Sequence, residues 1–388
     1  MGSKKRVAIL GSTGSIGQQA LDVVRQHSDL FEVVALSANS QWQKLVAQAI
    51  EFKPKTVVIG DVDCYESMRQ GLSGSSIEVY VGNDSLGEVV AADGVDIVLV
   101  AIVGFAGFFP TLRAIEAGKI IALANKESLV VAGDFLISQK AKYNARIIPV
   151  DSEHSAILQC MAGELTLPDK LIITASGGPF RGYTPEQLRS VTPMEALAHP
   201  TWSMGAKITV DSATLMNKGF EVIEAHWLFD IPYDRIEVVV HPQSVIHSMV
   251  QFQDGTIKAQ LGPHDMRLPI QYALSYPFRL STTAQPYKFG PAEAFTFEQP
   301  DLDCFPCLAL ALQAGRSGGN VPAVLNAANE VAVRAFLTEG LPFTAIPIVI
   351  ERTIDAVEFI SKPQLDEYVQ ADQEARKIAK WFVDKLKS

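Results

Sequence analysis

The sequence is poor in cysteine. Its 388 residues include four, Cys64, Cys160, Cys304 and Cys307. So few thiols exclude a disulfide scaffold for a chain of this length and favour a reducing compartment. Cys304 and Cys307 have the spacing of a redox or zinc pair, but no second pair accompanies them. Buried thiols remain the alternative.

Positive charge and long apolar runs are also scarce. The formal net charge is -10, with 43 acidic against 33 basic residues, so nucleic acid is not an expected partner. The longest apolar stretch, residues 97–109, contains two glycines, ends at Pro110 and is too short to span a bilayer. The first basic residues are not followed by an apolar segment of the length found in signal peptides. We therefore expect no secretory signal, no membrane partner and a cytoplasmic location.

What is present indicates a globular chain of two or three domains, with 48% hydrophobic and 20% charged residues. Continuous apolar strands alternate with helical segments in the first 150 residues, which predicts a doubly wound parallel sheet. The expected strands are residues 5–10, 31–36, 56–59, 95–102, 120–124 and 147–150, and the expected helices are 15–26 and 42–52.

The pattern changes after residue 150. Polar turns separate expected strands at residues 171–175, 207–210, 236–240, 245–252 and 256–261, which indicates an α+β domain over residues 151–280. Residues 281–312 are rich in Pro, Thr and Phe and are interpreted as a linker. Residues 313–388 carry helical patterns and are expected to form a C-terminal helical domain.

The first strand runs into a glycine-rich turn, residues 11–17, that opens a helix. Glycines let the backbone approach a pyrophosphate, and the helix N-terminus supplies N–H donors. The spacing GxxGxxG differs from the usual GxGxxG, and packing of strand against helix is the alternative. The second strand is followed by Ser37, Asn39 and Ser40 instead of the acidic residue of an NAD site, which favours NADPH.

Two groups of carboxylates are candidates for a metal site. Asp151 and Glu153 are two apart and would point the same way in an extended chain, although a helix-capping turn is the alternative. Asn217, Lys218 and Glu221 share one side of a predicted helix that Asp211 or Ser212 would cap; an ordinary surface ion pair is the alternative. Oxygen ligands of this kind suit Mg²⁺ or Mn²⁺.

Three loops complete the candidate site. The loop at Ser176 has the small residues of an anion-binding turn, and Lys126 follows a strand at the edge where doubly wound sheets bind ligands. Residues 199–205 combine Trp202 and Met204 with Pro and Gly, which is typical of a closing lid. The alternatives are a plain turn, a helix start capped by Asn125, and a packed loop.

Taken together, these segments resemble the 1-deoxy-D-xylulose 5-phosphate reductoisomerase family. The matches run in family order through GSTGSIG (11–17), LANKES (123–128), PVDSEH (149–154), SGGPF (176–180), HPTWSMG (199–205), VDSATLMNKGFE (210–221), HPQSVIHS (241–248) and LNAANE (325–330). The resemblance implies an NADPH- and metal-dependent enzyme that rearranges and reduces 1-deoxy-D-xylulose 5-phosphate to 2-C-methyl-D-erythritol 4-phosphate. It also implies a Rossmann-like NADPH domain (1–150), a catalytic domain (151–280) with a lid (196–207), and a homodimer.

The resemblance also implies roles for individual residues. The metal ligands would be Asp151, Glu153 and Glu221, with Lys126 as their charged catalytic neighbour. The substrate contacts would be Ser152, Ser176, His199, Ser212, Asn217 and Lys218, and the lid contacts Trp202 and Met204. The cofactor contacts would be Thr13, Gly14, Ser15, Ile16, Asn125, Glu127 and Gly205. Asn39 is a further expected cofactor contact, because its place after the second strand would let it meet a 2′-phosphate. One departure is that Asn39-Ser40 stands where family members often carry Gly followed by Lys or Arg.

Two other functions remain open at this point. A metal-free two-domain NAD(P) dehydrogenase would keep the glycine loop, although one acting on acyl groups needs a cysteine in a polar loop, whereas Cys160 lies on an apolar helical stretch. A regulatory nucleotide-binding protein would also keep the loop, but would not need the three carboxylates.

Overall fold

The computed structural model describes residues 3–202, 204–290 and 294–387. Ser203 of the predicted lid and residues 291–293 of the predicted linker lie outside them. Within the described residues the chain divides into two compact units. The first unit comprises residues up to 128, 136–155 and 265–285; the second comprises residues 129–135, 156–264 and 286 onwards.

The first unit is a doubly wound α/β fold, which confirms the predicted fold class. Its seven described strands are all parallel, in the order β4-β3-β2-β1-β5-β6-β7. They are β1 Lys5–Leu10, β2 Phe31–Ala38, β3 Thr56–Ile59, β4 Glu78–Val81, β5 Ile97–Val100, β6 Ile120–Leu123 and β7 Arg146–Pro149. The central strands are buried on both faces because helices cover the sheet, and their side chains are accordingly continuous apolar runs.

Strand β4 was missed by the sequence analysis. It is one of the two edge strands of the sheet, and its side chains alternate between exposed and half-buried. A strand of this kind has no continuous apolar run, which was the signal used for the other strands.

The helices of the first unit include the two predicted ones, residues 15–26 and 42–52, which have the predicted bounds. They are α1 Ser15–Gln26, α2 Trp42–Phe52, α3 Tyr65–Gly71, α4 Asp84–Ala91, α5 Phe108–Glu116, α6 Lys126–Lys142, the start of α7 Ser152–Met161, and α12 Arg267–Ser275. The middle of α6, residues 129–135, belongs to the second unit, and the helix is kinked at Ala132. Helix α12 packs against α1.

The second unit contains a four-stranded mixed sheet and a group of helices. The sheet has the order β11-β10-β8-β9, with strands β8 Lys170–Ala175, β9 Ile236–Val240, β10 Ile246–Gln251 and β11 Ile257–Leu261. Its helices are the rest of α7, α8 Pro185–Leu188, α9 Pro193–Ala196, α10 Ala206–Ala213, α11 Met216–Phe229, α13 Pro306–Ser317, α14 Val321–Glu339, α15 Ile346–Ala356 and α16 Leu365–Lys387. One apolar core joins this sheet to α11, α13 and α14.

The predicted strand at residues 207–210 is wrong, because these residues belong to α10. The β-branched run Ile-Thr-Val favours a strand locally, but two other features favour the helix. Lys207 and Asp211 form an ion pair four residues apart, with Nζ 2.8 Å from Oδ2. Thr209, Val210 and Ala213 are buried against neighbouring helices.

The domain boundaries at residues 150, 280 and 312 stay predictions, although two segments depart from them. Residues 265–285 group with the first unit, and α13 begins at Pro306, inside the segment interpreted as a linker. No described helix has the length and hydropathy needed to cross a bilayer.

Candidate active site

The glycine-rich turn joins β1 to α1 in a conformation that needs its glycines. Gly11 has φ of +78°, and a Cβ there would lie 2.6 Å from the carbonyl oxygen of Ala101. A Cβ at Gly17 would lie 2.3 Å from the oxygen of Gly11, so the helix packs directly on the turn. Gly14 precedes α1 and has no side chain to cap it, and Gly14 and Ser15 are exposed. The N–H groups of this helix start are therefore suited to an anion such as a pyrophosphate.

The end of β2 lies beside this turn. Ser37 is buried, and its hydroxyl accepts a hydrogen bond from the Gly11 amide at 3.0 Å, so this side chain supports the turn. Asn39 and Ser40 are exposed after the strand. The Asp61 amide donates to the carbonyl of Asn39 at 2.8 Å, which places an acidic residue next to the position expected to meet the ribose.

The carboxyl end of β6 places Asn125, Lys126 and Glu127 in buried positions. Asn125 caps α6: its Oδ1 accepts from the Ser128 amide at 3.0 Å, as the helix-cap alternative expected. Its Nδ2 donates to the carbonyls of Ile102 and Gly104 at 2.7 and 2.9 Å and to Glu127 Oε2 at 3.1 Å. These hydrogen bonds fix the Asn125 side chain, which therefore stabilises the loops at the carboxyl end of the sheet. The contact of Asn125 with the cofactor stays a prediction.

Lys126 forms an ion pair with Asp151, which follows β7. Lys126 is 4% exposed, so this ammonium group is removed from bulk water together with the carboxylate it contacts. Residues 151–153 are not extended, contrary to the reasoning from spacing, because α7 begins at Ser152 and Asp151 Oδ1 accepts from the Ser152 amide at 3.2 Å. The Ser152 hydroxyl donates to Glu153 Oε2 at 2.6 Å. A helix start therefore presents both carboxylates.

In the second unit, three predicted substrate contacts meet at one imidazole. His199 Nε2 lies 3.2 Å from Ser176 Oγ and 3.1 Å from Ser212 Oγ. His199 Nδ1 accepts from the backbone amides of Thr201 and Trp202 at 3.2 and 3.0 Å, so the proton of the neutral ring is on Nε2. Burial, and then the charge of His264, lower the pKa of His199 from its ordinary 6.5.

The glycine turn after Ser176 packs closely on Ser212. Gly177 and Gly178 have φ of +88° and +71°, and a Cβ at Gly178 would lie 2.8 Å from the Ser212 carbonyl oxygen. Ser212 does not cap a helix as expected, and neither does Asp211, because both lie in the last turn of α10. The left-handed residue Leu215 then joins α10 to α11.

Helix α11 carries the second predicted cluster on one side, as its spacing indicated. Lys218 forms an ion pair with Glu221, and Asn217 Nδ2 donates to Glu221 Oε1 at 2.5 Å. Lys218 and Glu221 are 4% and 1% exposed, which excludes an ordinary surface ion pair. Burying this pair is costly, so it indicates a functional role better than a stabilising one.

Residues 199–205, the segment with the composition of a closing lid, end directly before α10, so residues 206 and 207 of the predicted lid 196–207 belong to that helix. Met204 is half-buried. The Trp202 ring lies 5.4 Å from that of His264 and 6.1 Å from that of His247, between ring centroids. His247 and His241 are buried. The sequence analysis did not name His264 as a neighbour of Trp202. Its place in the Gly-Pro turn directly after β11 was the feature of the sequence that could have indicated it.

The cysteines are free thiols. Burial raises the pKa of Cys307 to about 12, with a further contribution from Asp211, and Cys160 is 4% exposed. The raised pKa keeps Cys307 protonated at neutral pH, so the buried-thiol alternative holds for Cys307.

Family models match most of the chain. Residues 7–133 match the model described as 1-deoxy-D-xylulose 5-phosphate reductoisomerase, residues 147–229 its C-terminal domain model, and residues 261–378 the model described as DXP reductoisomerase C-terminal domain. A curated protein with that enzyme's name from Bacteroides thetaiotaomicron is 56% identical over 97% of both chains. The chain belongs to the 1-deoxy-D-xylulose 5-phosphate reductoisomerase family.

Solved reductoisomerases share the fold over the whole chain. The Zymomonas mobilis reductoisomerase in complex with NADPH has a TM-score of 0.92 at 44% identity, covering 99% of this chain and all of that one. A reductoisomerase in complex with NADPH, fosmidomycin and magnesium has a TM-score of 0.94 at 41% identity, covering 99% of each. A Chlorobium chlorochromatii reductoisomerase is 52% identical over 98% of this chain and 100% of its own.

Proposed function

We propose that this chain converts 1-deoxy-D-xylulose 5-phosphate to 2-C-methyl-D-erythritol 4-phosphate with NADPH and a divalent cation. The observation that carries the proposal is the 56% identity to a reductoisomerase over 97% of both chains. Solved relatives of this length carry NADPH and magnesium, which supports the same two cofactors here.

The donor set fits a hard divalent cation. Asp151, Glu153 and Glu221 would hold it, since carboxylate oxygens are the preferred ligands of Mg²⁺ and Mn²⁺. Glu221 is 1% exposed, and Asp151 and Glu153 are half-buried. A bound cation supplies Lewis-acid polarisation of the substrate oxygens it contacts.

The first unit fits a dinucleotide. The exposed start of α1 would receive the pyrophosphate, with Thr13, Gly14, Ser15 and Ile16 nearest to it. Asn39 would lie beside the adenosine ribose, because the carboxyl end of the second strand is where dinucleotide folds bind it. Asn125, Glu127 and Gly205 remain proposed cofactor contacts. NADPH supplies the hydride of the reduction.

The chain's own groups would bind and orient the substrate. Ser176, Ser212, Asn217 and Lys218 are proposed to hold the phosphate, which is distant from the reacting carbons and so supplies binding energy for orienting them. His199, with its proton on Nε2, can donate to an oxygen anion while its Nδ1 fixes the backbone at Thr201 and Trp202. Ser152 is proposed as a further substrate contact.

Lys126 is proposed to stabilise negative charge that develops on the substrate oxygens. A buried ammonium is a stronger electrostatic stabiliser than one in water, because little solvent screens it. Trp202 and Met204 are proposed to cover the reacting carbons and exclude water during the reaction.

One coupled assay tests the proposal. Protein stripped of metal is mixed with NADPH and 1-deoxy-D-xylulose 5-phosphate, with Mg²⁺ added or withheld, and NADPH absorbance is followed. We expect NADPH to be consumed when all three components are present, and fosmidomycin to stop the reaction. A rate that persists in chelator would indicate a metal-free dehydrogenase. An absence of consumption in the complete mixture would favour a nucleotide-binding protein without this catalysis.

Two further properties are proposed on the family likeness. We infer a homodimer, which light scattering of the purified protein tests, and a cytoplasmic location, which cell fractionation tests.

A further inference from the structure

The LNAANE segment of α14 matches the family but carries no role in the site described above. Two of its side chains, Asn326 and Asn329, are 0% exposed. Buried amides require partners, and both have a carboxylate. Asn326 Nδ2 donates to Glu330 Oε1 at 3.1 Å, on the same helix. Asn329 Nδ2 donates to Asp211 Oδ1 at 2.8 Å, on α10.

Asp211 is a buried carboxylate, 1% exposed, whose two oxygens have different partners. Asn329 contacts Oδ1, and Lys207 Nζ lies 2.8 Å from Oδ2. The negative charge of Asp211 also contributes to the raised pKa of the Cys307 thiol on α13. Because a buried carboxylate is costly unless its oxygens are paired, these contacts fix the orientation of the Asp211 side chain.

From Asp211, hydrogen bonds lead into the turn between α10 and α11. The Thr214 hydroxyl donates to the Asp211 carbonyl at 3.2 Å and accepts from the Met216 amide at 3.3 Å. The Lys207 ammonium also lies 4.9 Å from the ring centroid of Phe220 on α11. The Asp211 contacts therefore hold the last turn of α10, which carries Ser212, and the first turn of α11, which carries Asn217 and Lys218.

We propose that Asn329 is a positioning residue of the substrate phosphate site, acting through Asp211 on Ser212 and on the start of α11. The proposal rests on the proposed function, because it takes Ser212 and Lys218 as phosphate contacts. A helix of the C-terminal helical region thereby sets the affinity for the phosphate without touching the substrate.

The test compares Asn329→Asp with Asn326→Asp. Both substitutions lie on α14 and place a second carboxylate against an existing one, half-buried Glu330 for residue 326 and buried Asp211 for residue 329. Only Asn329→Asp changes the partner of Asp211. Two facing carboxylates share a proton at low pH and repel each other once it is lost. At about pH 8, we expect Asn329→Asp to raise the KM for the sugar phosphate about tenfold relative to wild type, since a hydrogen bond to a charged group is lost.

We expect the ratio of the Asn329→Asp KM to the wild-type KM to fall toward one at about pH 6, because a proton shared by the two carboxylates restores a hydrogen bond. The kcat and the NADPH affinity should change less than twofold. Asn326→Asp should lower the melting temperature but leave KM at the wild-type value at both pH values. Sulfate, whose charge does not change over this range, gives a readout without turnover: its stabilisation of the protein against heat should weaken in Asn329→Asp at high pH.

A double exchange covers the case in which Asn329→Asp fails to fold at high pH. Asp211→Asn with Asn329→Asp returns one carboxylate and one amide to the pair, and we expect it to recover most of the wild-type KM. Equal KM changes in the two single variants, or a KM change independent of pH, would overturn the positioning role. If Ser212→Ala and Lys218→Ala leave the KM for the sugar phosphate unchanged, the proposed phosphate site is wrong, and not only the positioning role of Asn329.

Discussion

At the residue scale, the site is built from buried charges that stabilise the fold poorly. Lys126 with Asp151, and Lys218 with Glu221, form ion pairs away from bulk water. Apolar residues of the same size would usually fold as stably, so the charges are more readily explained by ligand binding. The spacing of residues 217–221 predicted one of these clusters, because positions three and four apart share a side of a helix. It could not predict how deeply the cluster is buried.

Replacing Glu221 with Gln tests the metal-ligand role. The change keeps the shape of the side chain but removes a negative charge, so we expect kcat to fall roughly 100-fold or more as cation binding weakens. Mg²⁺ affinity measured by calorimetry should fall in parallel, while NADPH affinity stays the same. Glu164→Gln is the control, since it also removes one partner of an ion pair, with Lys258, but at the surface. Full activity of Glu221→Gln would contradict the assignment.

Ser40 offers a test of the predicted preference for NADPH. This residue stands where relatives often carry a cation, and Asp61 lies beside Asn39. We expect Ser40→Arg to lower the Kd for NADPH about tenfold, through charge-assisted hydrogen bonds to the 2′-phosphate, and to leave the Kd for NADH unchanged. Fluorescence titration with each dinucleotide measures both constants.

Ser28→Arg adds the same charge at an exposed position just after α1 and should change neither dinucleotide constant. An equal gain in NADPH affinity from the two substitutions would show that net charge, and not the ribose site, is responsible.

At the scale of elements, the sequence predicts the strands inside the sheet well. It predicts poorly where contacts with the rest of the fold choose between strand and helix. Strands β1 and β3 have the predicted bounds because their apolar runs are continuous. Residues 207–210 have the same kind of run but form a helix, since Lys207 and Asp211 pair along it. The family likeness predicted His199, which lies within hydrogen-bond distance of Ser176 and Ser212. It did not predict the two backbone amides that donate to the His199 ring. Those donors, the Thr201 and Trp202 amides, connect the predicted lid to the ring.

We therefore expect the predicted lid to respond to pH. Burial lowers the pKa of His199, so the ring is neutral at pH 7 and gains a proton only below its ordinary value of 6.5. A proton on Nδ1 would remove the acceptor for the Thr201 and Trp202 amides. We expect the KM for the sugar phosphate to rise as the pH falls through this range, and NMR of the histidine ring nitrogens to show Nδ1 protonating over the same interval.

His199→Asn is the matched control for this titration. The amide oxygen of Asn accepts hydrogen bonds and gains no proton in this range. The variant should have a higher KM at every pH but lose the histidine-dependent rise. A rise of the same size in both proteins would assign it to another group.

At the scale of the whole molecule, the C-terminal helical region belongs to the folded core of the second unit. The Tyr368 side chain on α16 is 1% exposed, and its hydroxyl donates to Asp134 Oδ1 at 2.5 Å. Burial, and then this hydrogen bond, raise the pKa of Tyr368. The apolar periodicity of the sequence predicted helix α16. It could not predict the contact of that helix with Asp134, which lies more than 200 positions earlier in the chain.

Tyr368→Phe removes one hydrogen bond and keeps the ring. We expect it to lower the free energy of unfolding by about 1 kcal/mol and the melting temperature by about 2 °C, with KM and kcat unchanged. Calorimetry measures the shift. Tyr143→Phe, at an exposed tyrosine, should leave the melting temperature unchanged.

The interleaving of the two units along the chain limits how the protein can be divided. Residues 265–285 return to the first unit after more than a hundred residues of the second, and there His27 Nε2 lies 3.0 Å from the Ser281 carbonyl oxygen and 3.2 Å from Gln271 Oε1. A gene fragment that stops at residue 150 would encode a nucleotide fold without the helix that packs on α1. Swapping the cofactor module between relatives therefore requires transplanting separate stretches of sequence, including this late one.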